Sequence, residues 1–232
     1  MTTLSVSCGY KNEKDMNKTL RSAAKLHEKV PPDWYYRSMK INIGQRFWHT
    51  TRFMEIKKLI EPVDGKVLDI GCDDGMFTKV IRDTSKAKEV IGIDVLKSSV
   101  DWSKKHWSKY KNMRFKMGNA HKLKFRDDMF DAVFALEVLE HVPQPKLVLL
   151  EIKRVLIPGG YAVFLVPTDS TLFNAIWFIW TKFWRGRIWD DCHIQSYTKD
   201  SLVSIAKKCG FEIVENRKFL LGMLQVIKVR KK

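Results

Sequence analysis

Hydrophobic residues along this chain form two kinds of pattern, which alternate from one segment to the next. Short apolar runs typical of buried strands occur at KVLDIG, EVIGIDV, MRFKMGNA, FDAVFALEVL and YAVFLVPT. Segments with helical spacing separate them, at MFTKVIRDT, KSSVDWSKKHW and PKLVLLEIKRVL. Strands that alternate with helices of about ten residues predict βαβ units and a mainly parallel sheet with helices on both faces. The centre of the chain is therefore predicted to be a doubly wound α/β fold.

The C-terminal part adds one helix and two strands. KDSLVSIAKKC has the helical period, and FEIVENRKF and MLQVIKVR are strand-like. Only the short link LLG separates these strands. A parallel pair would need a long crossover, so the two strands must pair antiparallel. The full pattern predicts about seven strands, mostly parallel, with an antiparallel last strand.

Two segments before the sheet have helical character. Residues 14 to 29 are polar and charge-mixed, and they predict a helix or a loose arm. The two prolines of VPPDWYY cannot continue a helix, so the pattern breaks there. Apolar residues between 37 and 60 recur at helical spacing and predict a single helix that ends before EPVDG.

Charge is distributed unevenly along the 232 residues, whose formal net charge is +16. Residues 1 to 60 and residues 171 to 232 each hold 12 Lys/Arg against 5 Asp/Glu, whereas residues 61 to 170 hold 18 against 16. Basic flanks of this kind predict contact with a lipid surface, nucleic acid or acidic substrate, unless they form an ordinary solvated surface.

Cysteine usage and hydropathy narrow the class of protein. The four cysteines, at 8, 72, 192 and 209, show neither CxxC pairing nor metal-like spacing to histidine, so no metal site is predicted. The N-terminal residues lack the apolar stretch of a signal peptide, and no segment reaches the ~18 apolar residues that a membrane span requires. These features predict reduced thiols and a cytoplasmic location.

The glycine turn in VLDIGCDDG, residues 67 to 75, follows the first predicted strand. Ligands of doubly wound sheets bind beyond the carboxyl ends of the strands, and glycines let the backbone approach them. The spacing differs from the G-x-G-x-x-G of dinucleotide sites, and Asp69, Asp73 and Asp74 would repel a pyrophosphate. These carboxylates favour a nucleoside ligand that carries a cationic end.

Several motifs in this order resemble the class I S-adenosylmethionine-dependent methyltransferases, which have a Rossmann-like fold. VLDIGCDDG is similar to the first motif of that family, and the resemblance covers roughly residues 50 to 232. The further matching segments are IGID at 91 to 94, MGNAHKLKF at 117 to 125, FDAVFALEVLEHV at 130 to 142, LIPGGYAVFLVP at 156 to 167, and the C-terminal pattern at 191 to 215 that is common in the quinone, sterol and small-molecule branch.

The resemblance implies S-adenosylmethionine as cofactor and assigns roles to individual residues. Asp69 and Gly71 would hold the methionine end, Asp94 would accept hydrogen bonds from both ribose hydroxyls, and Asn119 with Ala120 would meet the adenine edge. The remaining residues that the resemblance places beside the cofactor are Cys72, Asp73, Gly75, Val95 and Glu137. The family commonly has glycine where this chain has Asp73 and often aspartate where it has Asn119.

The resemblance also places two histidines on the cofactor side. Methyl transfer mainly requires alignment of the reactants, and a general base is needed only when the acceptor carries a proton of high pKa. His141 and His193 are the candidates for that base. Each also has a structural interpretation, His141 as a cap before Pro143 and His193 as a residue that fixes a loop.

A tryptophan-rich segment, LFNAIWFIWTKFWRGR at 172 to 187, predicts a helix with a wide apolar face that ends in basic residues. The helix would be an insertion at 170 to 190 in a methyltransferase domain of residues 51 to 232, with residues 1 to 50 as a basic arm and helix over the acceptor site. It is predicted to be a lid on the acceptor pocket or a contact with an anionic membrane surface at the inner membrane face.

The aromatic residues of 34 to 49 and of 172 to 187 favour a hydrophobic, aromatic or lipid-like acceptor for O- or C-methylation. RNA methylation is the competing hypothesis, because basic residues interleaved with aromatics also suit stacked bases and phosphates. No recognisable RNA-binding module is present, which makes nucleic acid the less favoured partner. A third hypothesis is a non-catalytic, methyltransferase-like protein that binds a membrane surface. The sequence leaves the oligomeric state open.

The predicted ribose contact of Asp94 gives a direct test. We expect Asp94→Ala to weaken S-adenosylmethionine binding by about 2 kcal/mol or more, the scale of a lost buried hydrogen bond to a charged group. Isothermal titration calorimetry measures this loss. Absence of S-adenosylmethionine binding to the wild-type protein would overturn the enzyme hypothesis.

Overall fold

A computed structural model describes residues 30–168, 170–183, 194–197 and 200–232 of the chain. Its centre is a seven-stranded sheet with the spatial order β3-β2-β1-β4-β5-β7-β6. The strands are β1 (Lys66–Ile70), β2 (Glu89–Asp94), β3 (Met113–Met117), β4 (Phe130–Leu136), β5 (Leu156–Pro167), β6 (Phe211–Phe219) and β7 (Leu224–Lys231).

Strand directions confirm the predicted fold class. β1 pairs in parallel with both β2 and β4, and β3 and β5 continue the parallel set on either side. The last strand, β7, runs antiparallel between β5 and β6. The chain order reverses between β1 and β4, and this switch point opens a crevice at the carboxyl ends of the strands.

Helices cover both faces of the sheet. They are α1 (Trp34–Ile41), α2 (Ile43–Leu59), α3 (Met76–Ser85), α4 (Lys97–His106), α5 (Pro145–Val155), α6 (Thr171–Phe183) and α7 (Ser201–Lys208). Alternate residues of each central strand point to opposite faces. Leu68 therefore packs with Leu149 of α5, whereas Val67 packs with Ile56 of α2. Burial on both faces explains why the strands are almost continuously apolar.

The prediction of a single helix over residues 37 to 60 was wrong, because α1 and α2 are separate helices that meet at Asn42. Asn42 has an extended backbone (φ −131°, ψ 119°), and its side-chain oxygen accepts a hydrogen bond from the Gln45 backbone N–H at 3.1 Å. Asparagine caps helices well because its short side chain satisfies an N–H of the first turn. The helix predicted at residues 14 to 29 lies outside the described residues.

The predicted tryptophan-rich helix is present as α6 as far as Phe183. Phe173 is buried and Trp177 is half-buried, whereas Ile176, Phe178 and Ile179 are exposed. Residues 184 to 193 lie outside the described part of the chain. None of the described helices is long and apolar enough to cross a bilayer.

The turn after β1 requires glycine at position 71. Gly71 has φ +71°, and a Cβ there would lie 2.4 Å from Cγ2 of Val138. Gly159 has φ +76°, but a Cβ added there would have no neighbouring atom within 4 Å, so it is a matched control for backbone strain alone.

We expect both Gly71→Ala and Gly159→Ala to destabilise the protein by roughly 1 to 2 kcal/mol through the left-handed backbone. Gly71→Ala should cost about 1 to 3 kcal/mol more, because Val138 must move. Urea denaturation measures both free energies of unfolding. Equal losses in the two variants would show that the contact with Val138 is unimportant.

Candidate active site

A cleft of about 1150 Å³, counting its space open to solvent, lies at the carboxyl ends of β1, β2 and β4. Of the residues that the sequence singled out, Gly71, Cys72, Asp73, Asp94, Val95, Asn119, Ala120, Glu137 and His141 line it. Asp69, which lies in β1, and Gly75 of the following turn are not part of the lining, and His193 lies outside the described residues. The structure therefore brings most of the predicted residues into one cleft, and their contacts to a cofactor stay predictions.

Asp73 occupies the left-handed position of the turn, with φ 42°. Its side chain accepts a hydrogen bond from Ser99 Oγ at 2.9 Å, and its backbone oxygen accepts one from Ser103 Oγ at 2.8 Å. Both serines belong to α4. Aspartate tolerates this backbone region better than most residues, and the two hydrogen bonds from α4 hold it there. The turn thus forms without the glycine that the family commonly has.

Asp94 ends β2 and is fixed by two backbone donors. Its Oδ2 accepts a hydrogen bond from Asp73 N–H at 3.1 Å, and its Oδ1 accepts one from Leu96 N–H at 2.8 Å. These contacts set the orientation of the carboxylate at the cleft wall. A carboxylate can accept several hydrogen bonds, so the predicted contact of Asp94 with the ribose hydroxyls stays a prediction.

Two further carboxylates, one in β1 and one in the turn that follows it, are almost fully buried. Asp69 Oδ2 accepts a hydrogen bond from Thr78 Oγ1 at 2.6 Å, and burial raises the pKa of Asp69 to about 7. Asp74 accepts hydrogen bonds from the backbone N–H groups of Tyr36 (2.7 Å) and Met76 (3.1 Å), and burial raises its pKa to about 7 as well. Asp74 therefore also ties α1 to the turn, a role that the sequence did not reveal.

Electrostatics of the turn fit a cationic ligand. The pKa of Asp73 is held well above its usual value by burial first and then by the neighbouring charges of Asp74 and Asp94. Carboxylates in this arrangement repel one another when they ionise, and a cation close to them relieves that repulsion. The ammonium and sulfonium groups of S-adenosylmethionine meet this requirement.

Asn119 and His121 lie side by side in the lining of the cleft. His121 is buried, its pKa is lowered to about 4 by burial, and its Nε2 has no hydrogen-bond partner among the described residues. The Asn119 side-chain oxygen accepts a hydrogen bond from the His121 N–H at 2.9 Å, which leaves the Asn119 amide group for a ligand. A purine edge offers donors and acceptors to both groups. The contribution of His121 was not predicted from the sequence.

A second cavity of about 930 Å³ adjoins the first and shares Tyr35, Glu137 and His141 with it. Its walls come from α1, α2, α6 and the turn before β7, and five aromatic side chains line them: Trp34, Tyr35, Trp48, Phe173 and Trp177. Some residues of the two segments that the sequence assigned to the acceptor site line this cavity: Trp34, Tyr35, Gly44, Gln45, Trp48 and His49 from residues 1 to 50, and Phe173, Ile176 and Trp177 from residues 170 to 190. Their contact with an acceptor stays a prediction.

A buried ion pair separates the two cavities. Arg52 Nη1 donates to both carboxylate oxygens of Glu137, at 2.7 and 2.6 Å. Glu137 follows β4 in a left-handed conformation (φ 58°), and its N–H donates to Leu165 O at 2.8 Å. Burial raises the pKa of Glu137 and the charge of Arg52 opposes that rise. Glu137 was predicted at the cofactor, but its partner Arg52 was not predicted.

The ion pair continues into a hydrogen-bond chain on α1 and α2. Arg52 Nη2 lies 3.0 Å from His49 Nδ1, and because a guanidinium can only donate, this nitrogen must accept. Burial, and then the charge of Arg52, lower the pKa of His49 to about 2, so the ring is neutral and carries its proton on Nε2. That nitrogen lies 3.3 Å from Ser38 Oγ, which in turn donates to Tyr35 O at 3.0 Å.

Glu140 and His141 lie in the 3-10 turn Leu139–His141 beside both cavities. His141 Nε2 is 3.9 Å from Glu140 Oε1, too far for a hydrogen bond. Glu140 is 1% exposed, and burial followed by the charge of Glu137 holds its pKa well above the usual range. Its backbone oxygen accepts hydrogen bonds from the N–H groups of Ile194 and Gln195, at 2.8 and 2.9 Å.

Comparison with known sequences identifies similar methyltransferases. The family model described as a methyltransferase domain matches residues 46–216. An uncharacterised methyltransferase of Schizosaccharomyces pombe is 33% identical over 112 residues, 45% of this chain and 40% of that protein. A demethylmenaquinone methyltransferase of Thermotoga maritima is 24% identical over 212 residues, 84% of this chain and 90% of that protein. One from Staphylococcus aureus is 32% identical over 121 residues, 51% of this chain and 50% of that protein.

Solved structures share the fold. The N-methyltransferase NodS from Bradyrhizobium japonicum, solved in complex with S-adenosyl-L-homocysteine, superposes with a TM-score of 0.64 at 19% identity and covers 92% of this chain and 98% of its own. A possible histamine N-methyltransferase from Thermotoga maritima has a TM-score of 0.69 at 19% identity, covering 90% of this chain and 100% of its own. The chain belongs to the class I S-adenosylmethionine-dependent methyltransferases.

Proposed function

We propose that this protein transfers a methyl group from S-adenosylmethionine to a hydroxyl oxygen or ring carbon of a hydrophobic or aromatic small molecule. The observation that carries the proposal is the pair of adjoining cavities, one with a cluster of carboxylates and one with aromatic walls, which share Glu137 and His141. A methyl donor in the first cavity and an acceptor in the second would meet at this shared wall.

The residues of the first cavity would hold the cofactor by charge and hydrogen bonding. We assign the methionine end to the turn around Gly71 and Asp73, the ribose to Asp94, and the adenine to Asn119 and His121. S-adenosylmethionine supplies a methyl group that is already activated by the sulfonium, so the protein contributes alignment and exclusion of water. Tyr35 of α1 lines both cavities and would exclude water at their junction.

The acceptor class follows from the walls of the second cavity. Aromatic side chains from α1, α2 and α6 surround it, which suits a flat, apolar ring system. The name of the Thermotoga maritima relative indicates that it acts on demethylmenaquinone, which is such a molecule. We therefore favour a small aromatic acceptor over RNA, with His141 as the candidate base for a hydroxyl proton and α6 as a lid on the cavity.

The function is tested by the formation of S-adenosylhomocysteine with a panel of hydroquinones and phenols. We expect turnover by the wild-type protein, and Trp177→Ala should raise the KM for the acceptor by about tenfold, the factor that corresponds to 1.4 kcal/mol. Phe178→Ala is the matched control, because Phe178 is 55% exposed on the same helix and does not line the cavity.

Cofactor affinity, measured by calorimetry, should be unchanged in both variants. Methylation of RNA in the absence of turnover with any aromatic acceptor would contradict the proposal. An equal effect of Trp177→Ala and Phe178→Ala on KM would remove α6 from the acceptor site.

A second proposal is that the acceptor cavity opens toward an anionic membrane surface. Two helices that supply walls of this cavity carry exposed apolar side chains: Ile43 (88% exposed) and Phe47 (65%) on α2, and Ile176 (47%) and Ile179 (55%) on α6. Gly44 and Ile176 are themselves part of the lining. An apolar rim within a basic segment is typical of proteins that sit in the membrane interface.

We expect the protein to float with vesicles that contain phosphatidylserine and to float less with phosphatidylcholine alone. Ile43→Glu/Phe47→Glu and Ile176→Glu/Ile179→Glu should each abolish flotation, because each places two charges in the interface. Val214→Glu is the control, since Val214 is 47% exposed on β6 and lines neither cavity. Flotation of both double variants at the wild-type level would exclude this surface as the membrane contact.

A further inference from the structure

The second cavity, with its aromatic walls, is the aromatic cavity. Two charged side chains in its wall each leave one buried polar atom without a hydrogen bond. Arg52 is 2% exposed, and among the described residues its Nε has no partner, although Nη1 and Nη2 are engaged. Glu140 is 1% exposed, and its Oε2 likewise has no partner in that part of the chain. An unsatisfied buried polar group costs about 1 to 3 kcal/mol, so two in one cavity wall point to a ligand that satisfies them.

The two groups act on each other electrostatically. Burial is the largest influence on the Glu140 carboxyl and raises its pKa, the charge of Glu137 adds to that rise, and the charge of Arg52 opposes it. Glu137 accepts hydrogen bonds from Arg52, and it lines both cavities. Arg52 and Glu140 are therefore near the wall where an acceptor would meet the methyl donor.

Hydrogen-bond direction defines which ligand group fits. Arg52 Nε–H can only donate. Glu140 offers an acceptor oxygen whether its carboxyl is ionised or neutral. The ligand group must therefore accept from Arg52 and donate to Glu140, and a hydroxyl does both with a single oxygen.

Other ligand groups match this pair less well. An ammonium would be repelled by Arg52, and a carboxylate cannot donate to Glu140 and would be repelled by it on ionisation. A plain hydrocarbon would leave both atoms unpaired. A hydroxyl beside Arg52 would also have its own pKa lowered, which makes the acceptor a better nucleophile.

We propose that Arg52 and Glu140 form a binding site for the hydroxyl group of a phenolic or enolic acceptor in the aromatic cavity. This inference rests on the proposed methyl transfer to an aromatic small molecule and narrows its substrate to hydroxyl-bearing rings. In this proposal Arg52 and Glu140 determine substrate specificity, whereas other residues bind the cofactor.

Equilibrium dialysis with 2-naphthol and naphthalene tests the site, with S-adenosylhomocysteine present at saturation. The wild-type protein should bind 2-naphthol at least about tenfold more tightly than naphthalene, as expected for hydrogen bonds to buried charged groups. Glu140→Leu should reduce this ratio to below about threefold, because the acceptor oxygen is lost. Glu140→Gln keeps a side-chain oxygen of the same reach, so it should retain most of the preference.

The ratio of the two affinities responds to hydroxyl recognition and not to a general loosening of the cavity. Calorimetry with S-adenosylhomocysteine on the same samples shows that each variant is folded and keeps its cofactor site. Equal binding of the two probes to the wild-type protein, or an unchanged ratio in Glu140→Leu, would overturn the hydroxyl site alone. Failure of both probes to bind would overturn the proposed aromatic acceptor as well.

Discussion

The buried ion pair between Arg52 and Glu137 is the interaction on which the architecture of the site depends. It joins α2, which comes before the sheet in sequence, to the residue that follows β4, and it separates the two cavities. Removal of one partner of such a pair would leave an uncompensated charge and cost about 3 to 5 kcal/mol. Neutral His49 and Ser38 extend the contact to the backbone of α1, so the N-terminal helices are held over the carboxyl edge of the sheet.

The turn after β1 contributes a cluster of carboxylates to the site. Its carboxylates are brought together by the left-handed backbone at Gly71, Asp73 and Gly75, and burial holds their pKa values above the usual range. A site of this kind is poorly matched to phosphates and well matched to a cation. The fold thus places a cleft lined by carboxylates next to an aromatic cavity, which is an arrangement that suits methyl transfer between two bound molecules.

The proposed membrane contact and the proposed hydroxyl site concern different parts of the aromatic cavity. The exposed rim on α2 and α6 is apolar, whereas the wall nearest the cofactor cleft carries Arg52 and Glu140. A molecule with an apolar body and one hydroxyl-bearing ring matches this change from apolar to charged residues in the cavity. The two proposals are independent, since flotation depends on the rim and the selectivity between probes depends on the wall.

The alternation of strands and helices in the sheet, its antiparallel end, and the glycine turn with its carboxylates could all be predicted from the amino-acid sequence. These features depend on local periodicity and backbone conformation, which neighbouring residues specify. Three features became visible only in the folded chain: the break at Asn42, the hydrogen bonds from α4 that hold Asp73, and the pairing of Arg52 with Glu137 across 85 positions. Contacts between residues so far apart arise from packing of helices on the sheet, and no local pattern records which side chains will meet.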